Sequence, residues 1–226
     1  NGFPARFSGD ALKYAMDVYD APPANAASGG CDTVVPERLD AATVCKIGDS
    51  KKTAAPSFLV WGDSHADALS PAIRALAEAH GIAGWQVTYD GCPSLVGTRR
   101  TDTRIKFSCY DIGTRVLKLV GDNRIKNIIL ISRWDMHALG GERGGVEEYR
   151  VPSISFPLPD GSVLTGLEAF AASYSQTVRQ LQALGVKVWV VKQVPPYLAD
   201  IAPGLAKSAY LGRDPEMLER PYEDIL

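Results

Sequence analysis

The chain has 226 residues, 46% of them hydrophobic, which is enough to bury one sizeable core. Its 24 basic and 26 acidic residues leave a formal net charge of −2, and the basic ones are scattered, so no field of the kind that attracts a phosphate backbone is present. Nucleic acid is therefore not an expected partner, and no run of about 18 apolar residues offers a membrane-spanning helix.

The start, Asn1-Gly2-Phe3-Pro4, is neither an initiator methionine nor a signal peptide, and the chain reads as an excised soluble piece. Apolar side chains recur at helical spacing from Ser8 to Asp20, after which Pro22, Pro23 and an Ala/Gly/Ser stretch to Gly30 interrupt any regular element. Residues 1–50 are accordingly expected to form an N-terminal linker or extension, and 51–226 the main domain. The four cysteines, Cys31, Cys45, Cys92 and Cys109, lack the close C-x-x-C pairs of zinc sites, which favours disulfides and an oxidising compartment. Proximity favours Cys31 with Cys45 and Cys92 with Cys109, although four cysteines allow three pairings.

The next element is the apolar block Ser57-Phe58-Leu59-Val60-Trp61, which runs into Gly62-Asp63-Ser64 and reads as a buried strand ending in a sharp turn. Ala68, Leu69, Ala72, Ile73, Leu76 and Ala79 then repeat at helical intervals until Gly81. The alternation continues with a strand at 85–89, a helix at 112–120, a strand at 127–131, a helix at 167–184 and a strand at 186–191. Such alternation predicts an α/β fold with a mostly parallel sheet. The stretch 137–166 is rich in Gly, contains Pro152, Pro157, Pro159 and the turn pair Asp160-Gly161, and is expected to be an insertion with one hairpin.

In an open α/β sheet, ligands bind beyond the carboxyl ends of the strands, and Ser64 is placed just past such an end at the start of a helix with free backbone N–H groups. A serine there is a candidate nucleophile, but it needs a base to take its proton and donors to hold an oxyanion. Asp63-Ser64 also suits a plain helix cap. Three histidines are available. His80, beside Gly81, is expected to be a solvated helix-end residue. His65 follows the serine directly and is poorly aimed at its hydroxyl, though it is placed to line a pocket with Asp63. Asp135 and His137, just past the third strand, form a candidate orienting pair. The histidines and cysteines lack the spacing of a metal centre, so no metal and no cofactor are expected.

The segment Phe58-Leu59-Val60-Trp61-Gly62-Asp63-Ser64-His65-Ala66-Asp67 resembles the first block of the SGNH (GDSL-like) hydrolases. With Tyr89-Asp90-Gly91-Cys92-Pro93, it is similar more narrowly to the periplasmic SGNH domains fused to membrane acyltransferases that O-acetylate bacterial surface polysaccharides, over about 57–196. The resemblance implies a three-layer α/β/α, flavodoxin-like fold, Ser64 as the catalytic nucleophile, and Gly91 as an oxyanion donor through its backbone N–H. The family's third block, Gly-x-Asn-Asp, is replaced here by Ser132-Arg133-Trp134-Asp135, so the Arg133 guanidinium or the Trp134 indole N–H is implied as a substitute donor, each with a plain structural alternative. The family's Asp-x-x-His is missing, which leads to the expectation that the base lies beyond Leu226 and that the C-terminal part of the fold is absent. The implied activity is acyl transfer from an acetylated donor to hydroxyls of a surface polysaccharide such as lipopolysaccharide O-antigen or exopolysaccharide. The implied partner is a fused or associated membrane acyltransferase domain, and the implied location is the periplasm, tethered to the inner membrane. A carbohydrate O-acetyl esterase and a non-catalytic carbohydrate-binding module are the alternatives, the latter with Tyr149, Phe156, Tyr197 and Tyr210 as stacking surfaces.

Overall fold

The apolar run after Pro56 becomes the middle strand of the main sheet because both of its faces are covered. The computed structural model describes residues 8–20, 31, 35–49, 56–101, 108–143, 146–151, 153–193 and 201–214. Its elements in chain order are α1 (Gly9–Asp20), a short 3-10 turn (Pro36–Arg38), β1 (Cys45–Gly48), β2 (Phe58–Gly62), α2 (Ser64–Ala79), β3 (Ala83–Thr88), β4 (Arg99–Arg100), α3 (Cys109–Asp122), β5 (Asn127–Ile131), α4 (Trp134–Leu139), β6 (Gly141–Arg143), β7 (Val146–Val151), β8 (Ile154–Pro157), β9 (Val163–Thr165), α5 (Gly166–Ala183), β10 (Lys187–Val190) and α6 (Ile201–Tyr210). They fall into two units. One is Asn25–Gln193; the other joins Asn1–Ala24 to Val194–Leu226, and in it α1 packs against α6.

The larger unit is built on a five-stranded sheet in the order β1-β3-β2-β5-β10. Strand β2 runs parallel to both β3 and β5, and β10 runs parallel to β5, while β1 closes the far edge antiparallel to β3. Period-2 alternation sorts the side chains of β2 onto two faces. Leu59 and Trp61 join Trp85, Val87, Ile128 and Leu130 against α3 and Leu181 of α5. Val60 on the other face meets Ile47, Ile131 and Ala66 of α2. A strand buried on both sides reads as a continuous apolar run, as β2 does. The result is the expected α/β architecture with a mostly parallel sheet between helical layers.

Helix α3 shows how its face was set. Ser108 caps it by accepting from Asp111 N at 3.2 Å, and Ile112, Val116, Leu119 and Val120 recur along one buried stripe. The helix begins at Cys109, earlier than the apolar spacing from Ile112 indicates, because the cap and a disulfide define its start. That bond, Cys92–Cys109, has Cα atoms 5.3 Å apart, and Cys31–Cys45 has them 5.4 Å apart. The two pairings favoured by proximity are the ones formed.

Two regions carry more regular structure than the sequence pattern shows. The segment read as an N-terminal extension contains β1, a four-residue strand of the main sheet. The stretch 137–166 holds two antiparallel pairs: β6 with β7, and β8 with β9, the latter turning at Asp160-Gly161 with Gly161 at φ 87°. The two-residue β4 adds to β8. All of these strands but β7 have two to four residues, too few for a periodicity argument.

The last residue of β2, Gly62, is a glycine because nothing larger fits. A Cβ there would overlap Ile131 O on β5 and the Ala66 methyl on α2, so the helix turns off the sheet with its first turn pressed against two strands. Overpacking a filled interior costs about 1–3 kcal/mol and more when backbone must move. Gly62→Ala is expected to lower unfolding stability by about 3 kcal/mol in a urea titration; a variant with an unchanged midpoint contradicts this packing.

Candidate active site

The turn out of β2 places a carboxylate at the head of α2. Asp63 has extended backbone at φ −98° and ψ −156°, and its Oδ1 accepts from His65 N at 2.9 Å, which satisfies one of the donors that a helix start leaves bare. Its second oxygen does more than cap. Oδ2 accepts from Arg133 N at 2.8 Å and from His137 Nε2 at 2.9 Å. Asp63 is 1% exposed and His137 0%, so this carboxylate joins the start of α2 to the segment after β5 inside the protein. A carboxylate only accepts, which assigns the imidazole proton to Nε2. The other ring nitrogen, Nδ1, is buried with no hydrogen-bond partner among the described residues.

Ser64, the next residue, is exposed at the first position of α2. Its hydroxyl makes no hydrogen bond among the described residues. His65 is half-buried and contributes its backbone N–H to Asp63, not its ring to Ser64.

The loop after β3 lies beside this turn, since Gly62 and Thr88 are paired in register and Tyr89 N donates to Gly62 O at 3.0 Å. Gly91 sits in it, half-buried at φ 71°, a conformation that favours glycine. Cys92 N donates to Tyr89 O at 2.9 Å to close the turn. Two further ties hold the loop. The Cys92–Cys109 disulfide joins it to α3. Ser94 N donates to Ser132 Oγ at 3.0 Å, and the two buried hydroxyls lie 3.0 Å apart. The loops carrying Ser64, Gly91 and Arg133 thus converge at the carboxyl edges of the neighbouring strands β3, β2 and β5.

Two expectations for the segment after β5 need correction. His137 does not pair with Asp135. The two stand two positions apart on α4, where side chains diverge around the helix, and His137 is taken by Asp63. Asp135 faces Arg133 instead, Nε to Oδ1 at 3.6 Å, and its backbone N–H donates to Gln193 Oε1 at 3.0 Å. The Trp134 indole N–H is likewise unavailable to an oxyanion, because it donates to Val191 O at 2.8 Å while its ring packs edge-on against Phe170 and Tyr174. Arg133 keeps an exposed side chain at this edge. Of the aromatic residues considered for sugar stacking, Phe156 is in the core, Tyr210 is exposed, the side chain of Tyr149 and all of Tyr197 lie outside the described residues.

Sequence reasoning missed a polar layer beneath the site. Buried Gln86 on β3 donates through Nε2 to Asp67 Oδ1 and to Thr88 Oγ1, each at 3.2 Å, and accepts from Arg74 Nη2 at 3.1 Å. This ties β3, just before the Gly91 loop, to the first turn of α2. The available signal was a glutamine between Trp85 and Val87 in an apolar strand, since buried amides are kept where they find partners.

Residues 30–225 match the family model described as the SGNH domain (fused to AT3 domains). The chain is similar in structure to the periplasmic domain of lipopolysaccharide acetyltransferase from Salmonella ser. Paratyphi A, with a TM-score of 0.55 and 15% identity over 94% of this chain and 69% of that one. No curated protein matches the sequence.

Burial, the largest effect, pushes His137 below its ordinary value of 6.5, helped by the charge of Arg100 and opposed by the hydrogen bond and charge of Asp63 and by Asp135. A histidine lowered in the folded state binds fewer protons there than in the unfolded chain. Its stabilising effect is present above 6.5 and is lost as pH falls through the lowered folded value. Melting curves between about pH 7.5 and about pH 5.5 are expected to show wild type losing its advantage over His137→Gln as pH falls. A difference that stays constant with pH would contradict a neutral, buried imidazole.

Proposed function

This chain belongs to the SGNH domains fused to AT3 domains, and from that premise we propose that it carries out serine-dependent acyl transfer, with Ser64 as the nucleophile, onto hydroxyls of a bacterial cell-surface polysaccharide. The single observation that carries the proposal is the placement of an exposed Ser64 at the head of α2, on the carboxyl edge of a parallel sheet and beside the turn that holds Gly91 at φ 71°.

In this reading Ser64 Oγ attacks the carbonyl carbon of an acetyl donor as its proton passes to a base, which the described residues do not supply. The negative oxygen that forms takes hydrogen bonds from the backbone N–H groups of Gly91 and Ser64, since those of His65, Ala66 and Asp67 are already given to Asp63, and the exposed Arg133 side chain, on the same sheet edge, is the candidate to add charge. Collapse expels the donor's leaving group, which takes the proton from the base, and leaves an acyl ester on Ser64; a sugar hydroxyl then attacks the ester carbon, giving its proton to the base, and Ser64 Oγ leaves with that proton. Water as acceptor makes the same chemistry an esterase. The fusion to AT3 domains supports a membrane acyltransferase domain as the source of the acyl group. The two disulfides support an extracytoplasmic site, and the lipopolysaccharide acetyltransferase neighbour supports a polysaccharide acceptor. The lack of a base on the Ser64 hydroxyl among the described residues favours a second reading, a carbohydrate-binding module without catalysis.

Hydrolysis of p-nitrophenyl acetate separates the two. Replacing the nucleophile of a serine enzyme costs a factor of about 1000 or more, so Ser64→Ala is expected to lose activity by about that factor. Equal rates for wild type and Ser64→Ala would sink the catalytic reading.

A further inference from the structure

We propose that His137 is a positioning residue for the Ser64 reaction, holding Asp63 so that the nucleophile and Arg133 keep one fixed relation. The inference rests on the reading of Ser64 as nucleophile and adds the device that aims it.

The first turn of α4 grips the Asp63 carboxylate at two points. Arg133 donates its backbone N–H to Oδ2, and His137, four residues on, donates Nε2–H to the same atom. The turn itself is closed by His137 N donating to Arg133 O at 3.2 Å. It is braced from the other side by Ser153, whose hydroxyl donates to Met136 O at 2.8 Å. On the other oxygen, Asp63 holds His65 N, next to Ser64. A shift of the ring would therefore move the carboxylate and, with it, the spacing between Ser64 and Arg133.

The choice of residue argues that this is more than packing. An imidazole at 0% exposure with Nδ1 lacking a hydrogen-bond partner among the described residues is a costly way to fill space. A leucine of similar bulk would leave no bare nitrogen. What the imidazole offers is a rigid ring whose single proton points at Asp63. It does not touch the acyl group, since it is fully buried and committed to that carboxylate, and the charged groups facing it are Asp63, Arg100 and Asp135.

The consequence is kinetic. Misplacing a nucleophile by about 1 Å can cost a factor of about 100 in rate while leaving binding alone. The test compares wild type, His137→Leu, which removes the donor, and His137→Gln, which keeps an N–H at the reach of Nε2 and has no titrating ring. Each is assayed for p-nitrophenyl acetate hydrolysis and for the rate at which a fluorophosphonate labels Ser64. We expect kcat and labelling of His137→Leu to fall about 10- to 100-fold with KM within about threefold, and His137→Gln to recover most of the loss. Should His137→Leu fail to fold, His137→Asn replaces it, since its amide is too short to reach Asp63, and it should lose kcat where His137→Gln does not. A wild-type kcat in His137→Leu, or equal losses in the donor-keeping and donor-less variants, overturns the positioning role. If wild type neither labels nor exceeds Ser64→Ala, the nucleophile reading fails first and takes this inference with it; labelling of wild type with no effect at His137 overturns the inference alone.

Discussion

The Asp63 carboxylate is the point on which the site depends, because three N–H donors from separate places meet on its two oxygens while it is almost wholly withdrawn from water. A buried carboxylate is costly unless its lone pairs are occupied. Once they are, the same bonds hold together whatever supplies the donors. Here that means the start of α2 and the first turn of α4, two elements that reach the site from the adjacent strands β2 and β5. The residue is therefore both a helix cap and a cross-brace. Only the second role makes the placement of Ser64 depend on a residue 74 positions away.

The remaining ties serve the same edge. Gly62 lets β2, β5 and α2 meet where no side chain fits. Gly91 turns the neighbouring loop, which the Ser94–Ser132 hydrogen bonds and the Cys92–Cys109 disulfide anchor on two sides. A parallel sheet brings the ends of adjacent strands to one edge, and these contacts turn that edge into a fixed arrangement, an advantage wherever charge develops on an acyl oxygen and donors must be in place beforehand. The departure from the Gly-x-Asn-Asp pattern has a consistent structural use. Ser132 anchors the Gly91 loop, Arg133 N holds Asp63, and Trp134 fastens α4 to the end of β10 through Val191 O.

Much of the fold was legible. Asn127–Ile131 is the strand the pattern predicts, residue for residue, because beyond Asn127 a central strand covered on both faces runs as an unbroken apolar stretch. The order of strand, sharp turn and helix around Gly62-Asp63-Ser64 was readable because the cap that starts the helix is a local demand. The two-residue β4 and the four-residue β1 carried no such signal. Neither did the partners of the site. Asp135 and His137 look like a pair when counted along the chain, yet two steps on a helix send them apart. The Trp134 indole looked free because its acceptor lies 57 residues on.

By itself the sequence determined the α/β alternation, the position of Ser64 at a strand-to-helix turn and the family to which these motifs belong. Periodicity and capping act between near neighbours, so residues write them down in order. The tertiary structure alone decided that Asp63 binds His137, that the Trp134 donor is spent on backbone, and that Ser132 anchors the Gly91 loop. A hydrogen bond forms with whichever group the completed fold brings to about 3 Å, and that distance is set by the packing of the whole unit rather than by any stretch of the chain.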